Sequence, residues 1–401
     1  MTNMATPPNS VCATHTRPAL SWTLRPVGTK PRRAVHIQSP DISGETLMQR
    51  SLISAALLLA LSACASGPKF ASNEELGAKS VTAFAETPAV ATAEDAADDP
   101  AIWVNPDDAS KSLILGTNKK AGLHVYDLQG QSKQFLPVGD VNNVDVRTVT
   151  TSRGPRHIAA ATNRTDNSVA LFEINTTNGE LTSLGALPIS QGEVYGYCLG
   201  LSASGSLMSY VTTKAGQVIV HRIQPGDMRG EYVSTWKFDG QLEGCASDDE
   251  NGVVFIGEEE NGVYSVKHAD GMEIERTIVD TVANDRGLVV DVEGVDIWKG
   301  ADNGGYLVVS SQGANRFVVY DRKAPYEWRG VFHIVDNTAN GIDGVDTTDG
   351  LSVSSAALGD GLPQGLLVVQ DNTNTNPDAN QNFKLVDWRS IATALSLDGA
   401  E

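Results

Sequence analysis

Between about residue 110 and residue 390 the apolar positions come in short bursts that travel in pairs, each pair joined by a polar turn. The pairs are 113–115 with 123–126, 158–160 with 169–172, 207–211 with 218–220, 253–256 with 263–266, 306–309 with 317–320, and 366–369 with 383–386. These runs are rich in β-branched and aromatic residues and are bounded by Gly, Asn and Asp, as strands closed by hairpins require. No stretch of comparable length keeps an apolar stripe at helical spacing. The pattern predicts an all-β chain of six similar units.

A second series runs ahead of the first. An acidic residue stands beside a small or turn-forming one at Asp98-Asp99-Pro100, Asn143-Val144-Asp145, Glu193-Val194-Tyr195-Gly196, Glu243-Gly244, Asp291-Val292-Glu293-Gly294 and Asp349-Gly350. Counted from Asp99, Asp145, Glu193, Glu243, Glu293 and Asp349, the steps are 46, 48, 50, 50 and 56. A period near fifty with strand content is the signature of a propeller. The expectation is a six-bladed β-propeller with four-stranded antiparallel blades around a central channel, in which these acids converge on one axis. Residues 80–401 form that single domain, each blade packing only on its neighbours. The last blade lacks a fourth strand after Trp388, and a strand at 80–84 is expected to supply it and close the ring.

The N-terminal region does not share the pattern. Residues 1–47 are rich in Pro, Thr and Arg and read as a leader or an over-long start. From Met48 a short basic stretch, an apolar run and Leu61-Ser62-Ala63-Cys64 have the layout of a secretory signal too short to span a bilayer. Two readings fit its end: a lipoprotein box with a lipid anchor on Cys64, or an ordinary cut near Ala65. Either makes the protein secreted, or a periplasmic or outer-membrane lipoprotein of a bacterium. Residues 65–79 read as a tether. Beyond residue 64 the chain holds 24 basic and 47 acidic residues, a net charge of −23. Such a surface is a poor partner for nucleic acid, and nothing points beyond a monomer. Cys198 and Cys245 occupy similar places in neighbouring repeats and read equally as a disulfide or as two buried thiols.

Charge also separates the hairpin turns. The first three repeats carry Asn118-Lys119-Lys120, Asn163-Arg164 and Thr213-Lys214; the last three carry Glu258-Glu259-Glu260, Gln312 and Gln370-Asp371. Turns are polar by default, so the segregation, not any one residue, carries meaning. Lys and Arg offer charge-assisted bonds to phosphate oxygens. Clustered carboxylates would repel phosphate unless they hold cations, and Asp, Glu, Asn and Gln suit calcium. Zinc is disfavoured because thiol and imidazole clusters are missing. No Arg follows Cys198 or Cys245 at the spacing of a phosphate-cradling cysteine nucleophile, and the five histidines beyond residue 100 stand singly. That leaves water, activated beside metal, attacking a neutralised phosphate.

Several segments resemble the β-propeller phytases. They are Asp95-Ala-Ala-Asp-Asp-Pro-Ala-Ile-Trp-Val-Asn-Pro106, Thr117-Asn-Lys-Lys-Ala-Gly-Leu123, Asn142-Asn-Val-Asp-Val-Arg147, Glu193-Val-Tyr-Gly196, Glu243-Gly244, Asp291-Val-Glu-Gly294, Ser310-Ser-Gln-Gly313, Asp346-Thr-Thr-Asp-Gly350 and Asn380-Gln-Asn-Phe-Lys384. The resemblance covers about residues 80–395 in order. It implies calcium-dependent release of phosphate from myo-inositol hexakisphosphate (phytate), a 3-phytase type of phosphomonoester hydrolysis. It implies that Lys119, Arg164, Tyr195 and Lys214 bind the phosphate to be cleaved, and that Lys120 helps hold a second one. It further implies catalytic calcium ions on Glu243, Asp291 and Glu293, with Glu259, Gln312 and Asp349 nearby, and structural calcium ions on Asp99, Asn143, Asp343 and Asn380. Ala215 stands where some members have an acid or Gln, which leaves the second phosphate site open to change. Three other propeller functions compete: a calcium lactonase, which leaves the Lys/Arg half unexplained; a protein-binding scaffold, which would favour an apolar rim; and phosphate capture without turnover, which would accumulate no free phosphate.

Overall fold

Runs such as Leu113–Asn118, Leu207–Thr212 and Leu366–Asp371 are buried along their whole length. A strand covered on both faces carries apolar residues at successive rather than alternate positions over most of its length, so these pairs form the middles of stacked sheets. The computed structural model describes residues 70–400 except Asp360 and Asn376. The signal and lipid-anchor reading of residues 48–64 and the leader reading of residues 1–47 lie outside the described residues.

Six antiparallel sheets follow one another in chain order. Blade 1 contains Ala97–Trp103, Leu113–Asn118, Gly122–Asp127 and Ser132–Leu136; blade 2 Val141–Thr151, Gly154–Asn163, Ser168–Ile174 and Leu181–Pro188. Blade 3 contains Tyr197–Leu201, Leu207–Thr212, Gln217–Ile223 and Gly230–Lys237; blade 4 Leu242–Asp248, Val253–Glu258, Gly262–Ala269 and Met272–Thr281. Blade 5 contains Val292–Lys299, Gly305–Ser311, Arg316–Asp321 and Trp328–Val335; blade 6 Leu351–Ser354, Leu366–Asp371 and Asn382–Asp387. The first strand of each blade packs on the first strand of the next, and Leu351–Ser354 packs on Ala97–Trp103 to complete the circle. The chain is a six-bladed β-propeller.

Apolar clusters fill the gaps between blades. Ile158, Val169 and Leu171 of blade 2 meet Leu199, Val211 and Ile219 of blade 3, and each fully buried side chain of this kind contributes roughly 1.5–3 kcal/mol. Cys198 and Cys245, left open by sequence, are joined across blades 3 and 4 with a Cα–Cα distance of 5.6 Å.

Ring closure differs from the expectation. Lys79–Thr82 lies parallel to the outer strand of blade 5, with Lys79 opposite Phe332 and Thr82 opposite Val335. The fourth strand of blade 6 is instead Ala85–Glu86, antiparallel to Asn382–Asp387. Buried Val81 and Ala83 sit in the cluster shared by blades 5 and 6, so one N-terminal segment staples both. A short helix, Trp388–Leu395, was not legible as a stripe because it has only eight residues. The Asp387 carboxylate caps it by accepting from the Arg389 N–H at 2.9 Å. Its Trp388 stacks on Trp298 at 5.1 Å, fixing the chain end to blade 5.

Candidate active site

Four of the six inner strands break register at the same place: between Ala97 and Pro100, Val141 and Val144, Leu242 and Cys245, and Val292 and Val295. Each break is a bulge, which bends the strand and re-aims side chains. The residues inside are Asp98-Asp99, Asn142-Asn143, Glu243-Gly244 and Glu293-Gly294. In blades 3 and 6 Tyr195-Gly196 and Asp349-Gly350 stand just before the inner strand. The structural ring is therefore Asp98, Asn142, Tyr195, Glu243, Glu293 and Asp349. Three acids used to count the period fall off it: Asp99 gives its place to Asp98, Asp145 lies three residues past Asn142, and Glu193 is exposed.

The glycines let the ring close. A Cβ on Gly196 would lie 2.0 Å from the Glu243 carbonyl oxygen, and one on Gly244 would lie 2.0 Å from that of Glu293. Successive blades thus touch backbone to backbone at the acids themselves. The Gly294 N–H donates to the Asp349 carbonyl at 2.8 Å, and the Gly350 N–H to that of Asp98 at 3.0 Å.

This brings the carboxylates together. Oxygens of Glu243, Glu259 and Glu293 all lie within 4.8 Å of one another. Burial, reinforced by the charges of Asp98 and Asp349, pushes Glu243 up to about 8. Burial and then Glu243 push Glu293 well above the carboxylate range. Burial and Asp98 raise Asp349 to about 7. Burial also raises Glu259, although the Gln241 amide and the Lys214 charge oppose the shift. Glu293 Oε2 and Asp98 Oδ1 are buried without a hydrogen-bond partner. Carboxylates so crowded are relieved by a cation, and an all-oxygen donor set with unsatisfied buried oxygens fits calcium.

The cations interlock with the acids. The Lys119 ammonium pairs with Asp95 at 2.7 Å, Asp98 at 2.8 Å and Asp349 at 3.0 Å. Burial works against its charge, but Asp98 and Asp349 outweigh that and raise its pKa above the ordinary lysine value. Lys214 sits over the Tyr195 ring at 4.2 Å. Burial, then Glu243 and Glu293, raise the Tyr195 phenol, which bonds to Glu243, so it remains a donor. Exposed Arg164 donates to Asn142 Oδ1 at 3.1 Å, and Asn142 Nδ2 donates to Glu243 Oε1 at 2.7 Å. The basic turns belong to blades 1–3 and the acidic and amide turns to blades 4–6, whereas the ring between them consists of acids, one amide and one phenol. Lys120 donates to the Ala93 carbonyl at 3.3 Å and pairs with Glu94 at 3.5 Å.

Of the remaining sequence candidates, Asp291 adopts φ 62° and its carbonyl accepts from the Gln312 N–H at 3.0 Å. The Gln312 amide donates to Asp349. Asp99 and Asn143 line a cavity of about 30 Å³ on the axis with Asp145, Arg147 and Asp296. Asp343 and Asn380 lie apart from that pair, on blade 6. Against the cost of burial, the Lys384 ammonium and the Thr375 N–H hold Asp343 below the usual range. The Asn380 amide donates to the Val90 carbonyl at 2.9 Å.

Sequence reasoning missed three participants. Asp98, 1% exposed, was noted only as a neighbour of Asp99. Asn142 is fully buried between Arg164 and Glu243. Lys384, also fully buried, is held by Glu86, Asp343 and, at 3.3 Å, Asp371. Its one signal was a lysine inside an apolar strand.

Comparison with known proteins places this geometry. The chain is 38% identical over 354 residues to the 3-phytase of Bacillus subtilis (strain 168), covering 85% of this chain and 91% of that protein. A looser likeness, with a TM-score of 0.43 and 9% identity over 71% of this chain and 78% of the other, is to a crystal structure of BBS1N in complex with ARL6DN, soaked with mercury, and bears on nothing below. The family described as Phytase matches residues 49–400, nearly all of the propeller and the segment before it, and the chain belongs to that family.

Proposed function

We propose that this protein is a calcium-dependent phosphomonoester hydrolase that releases phosphate from phytate by direct attack of water. The observation carrying the reading is the packing of Glu243, Glu259 and Glu293 against Tyr195 and Lys214, beside a ring whose Asp98 and Asp349 pair with Lys119. A scaffold has no use for carboxylates buried at that cost. A lactonase would use the acids and leave the cations idle.

Glu243, Asp291, Glu293 and Glu259 would hold the calcium ions, with Asp349 and Gln312 beside them. Calcium, when bound there, supplies positive charge to phosphate oxygens and makes water easier to deprotonate. Lys119, Arg164 and Lys214 offset the charge that builds on the transferred group as the bond to the ring oxygen breaks. Tyr195 donates a hydrogen bond to one phosphate oxygen. Lys120, next to Lys119 on the same turn, would meet the adjacent phosphate of a crowded ring, so selectivity rests on paired charges. Asp99, Asn143, Asp343 and Asn380 are assigned to structural calcium by family resemblance, with the axial position of the first two in support. The signal-like segment supports export, with Cys64 a candidate anchor.

The test is phosphate release from inositol hexakisphosphate with calcium, with excess chelator, and with calcium restored. Release that stops and returns supports the reading. Release indifferent to chelator removes the role of calcium, and opening of a lactone without phosphate release removes the reaction.

A further inference from the structure

We infer that Asn142 is the positioning residue that holds the phosphate-binding cation Arg164 in register with the acid Glu243. The inference rests on the hydrolase reading above and deepens it at one residue.

Asn142 lies in the bulge of blade 2, the only member of the ring that is an amide rather than an acid or a phenol. Its side chain is fully buried. Its orientation is forced by chemistry. A guanidinium can only donate, so the oxygen of the amide must face Arg164 Nη1, at 3.1 Å. The nitrogen must then face Glu243 Oε1, at 2.7 Å, and it also reaches Asn143 Oδ1 at 2.9 Å. One rigid planar group therefore touches one residue from each of the two charge sets.

No charged residue at this position does the same. An aspartate would satisfy Arg164 but set a fourth carboxylate against Glu243, already among Glu293 and Glu259. A lysine or arginine would satisfy Glu243 and repel Arg164. An amide accepts on one side and donates on the other without adding charge. Arg164 needs the support because its side chain is exposed. A free arginine samples many rotamers, and fixing it before substrate arrives removes that entropy from the binding and reaction steps. Glu243 needs it because a ligand carboxylate free to rotate holds a cation less well than one fixed by an outer hydrogen bond. Asn142 touches neither substrate nor reacting atoms in this account and acts only through its two partners.

The experiment compares the parent with Asn142→Ala, Asn142→Asp, Arg164→Ala and the Asn142→Ala/Arg164→Ala pair, in the full chain. Phosphate release from phytate gives kcat and KM, calorimetric titration with calcium chloride gives metal affinity, and thermal melting reports the fold. Loss of such outer partners typically costs about 10–100-fold. Asn142→Ala should lower kcat by that order with KM changed less than about threefold, because Lys119, Tyr195 and Lys214 still bind the phosphate. Calcium affinity should fall about tenfold. In the Arg164→Ala background the same change should cost distinctly less than it does alone. Asn142→Asp, which keeps the acceptor for Arg164 but turns a carboxylate on Glu243, should not restore kcat to the parent level. Parent-like kcat in Asn142→Ala, losses that multiply in the pair, or a loss that merely tracks melting would each overturn the inference. Should the parent release no phosphate, the hydrolase reading falls by itself. The calcium titration still decides the Glu243 side: weaker binding by Asn142→Ala sustains that link, and equal binding ends it.

Discussion

Gly244→Ala is the sharpest probe of how the fold builds the site. The added Cβ would lie 2.0 Å from the Glu293 carbonyl oxygen and 3.1 Å from Val295 Cγ2. Carbon and oxygen approach to about 3.3 Å at closest, so the strands of blades 4 and 5 must part by more than about 1 Å. Both sides of the gap are backbone, and no rotamer change relieves it. Overpacking of this kind costs on the order of 1–3 kcal/mol, a drop of several degrees in melting temperature. The activity loss should be larger than the stability loss implies. Gly244 follows Glu243, and the clash falls on Glu293, so the insertion separates two acids that must share cations. A misplacement near 1 Å costs about 10²-fold in rate. The assay is phosphate release per folded molecule, with folding measured by circular dichroism and melting. Gly226→Ala serves as the control, since nothing lies within 4 Å of its added carbon. A Gly244→Ala protein with parent kcat/KM and parent melting temperature would refute the claim that blades meet backbone to backbone at the acids.

Three further outcomes are expected. Glu243→Gln keeps size and shape but removes the charge, so phosphate release should fall by at least about 10²-fold while the circular dichroism spectrum stays unchanged; turnover at the parent rate would end its assigned role. Burial, with Asp145 adding to it, raises Asp296 to about 6, so the folded protein keeps a proton there that the unfolded chain has lost. Stability from this group should therefore fall as pH rises from about 4 to about 6 and level off above, by on the order of 3 kcal/mol; Asp296→Asn, melted across that range, should lack this component, and an unchanged slope would contradict it. The Cys198–Cys245 bridge closes a separation of 47 residues, so the double serine variant should lose roughly 2–4 kcal/mol by denaturant titration, and parent stability would show that the bridge constrains nothing.

The sequence by itself determined the architecture. Paired apolar bursts at a period near fifty have no other way to bury both faces of their middle strands than to stack radially, so blade number and blade membership could be read directly. It also supplied the chemistry of Lys119, Lys214, Glu243 and Glu293, because charged turns and acids beside glycine are conspicuous against strands. Which acids share a ring was decided only in three dimensions. Asp98 stands one residue before Asp99 and Asn142 three before Asp145, the acids that mark the period, and a bulge cannot be seen in a pattern of period two. The closing strand was misassigned for a similar reason: 79–82 and 85–86 are both short enough to pair anywhere, and only the burial of Val81 and Ala83 between blades 5 and 6 fixes their places. The buried Lys384 and the amide of Asn142 are ordinary polar residues in one dimension. Their roles come from partners up to 298 residues away, and such contacts exist only once the ring has closed.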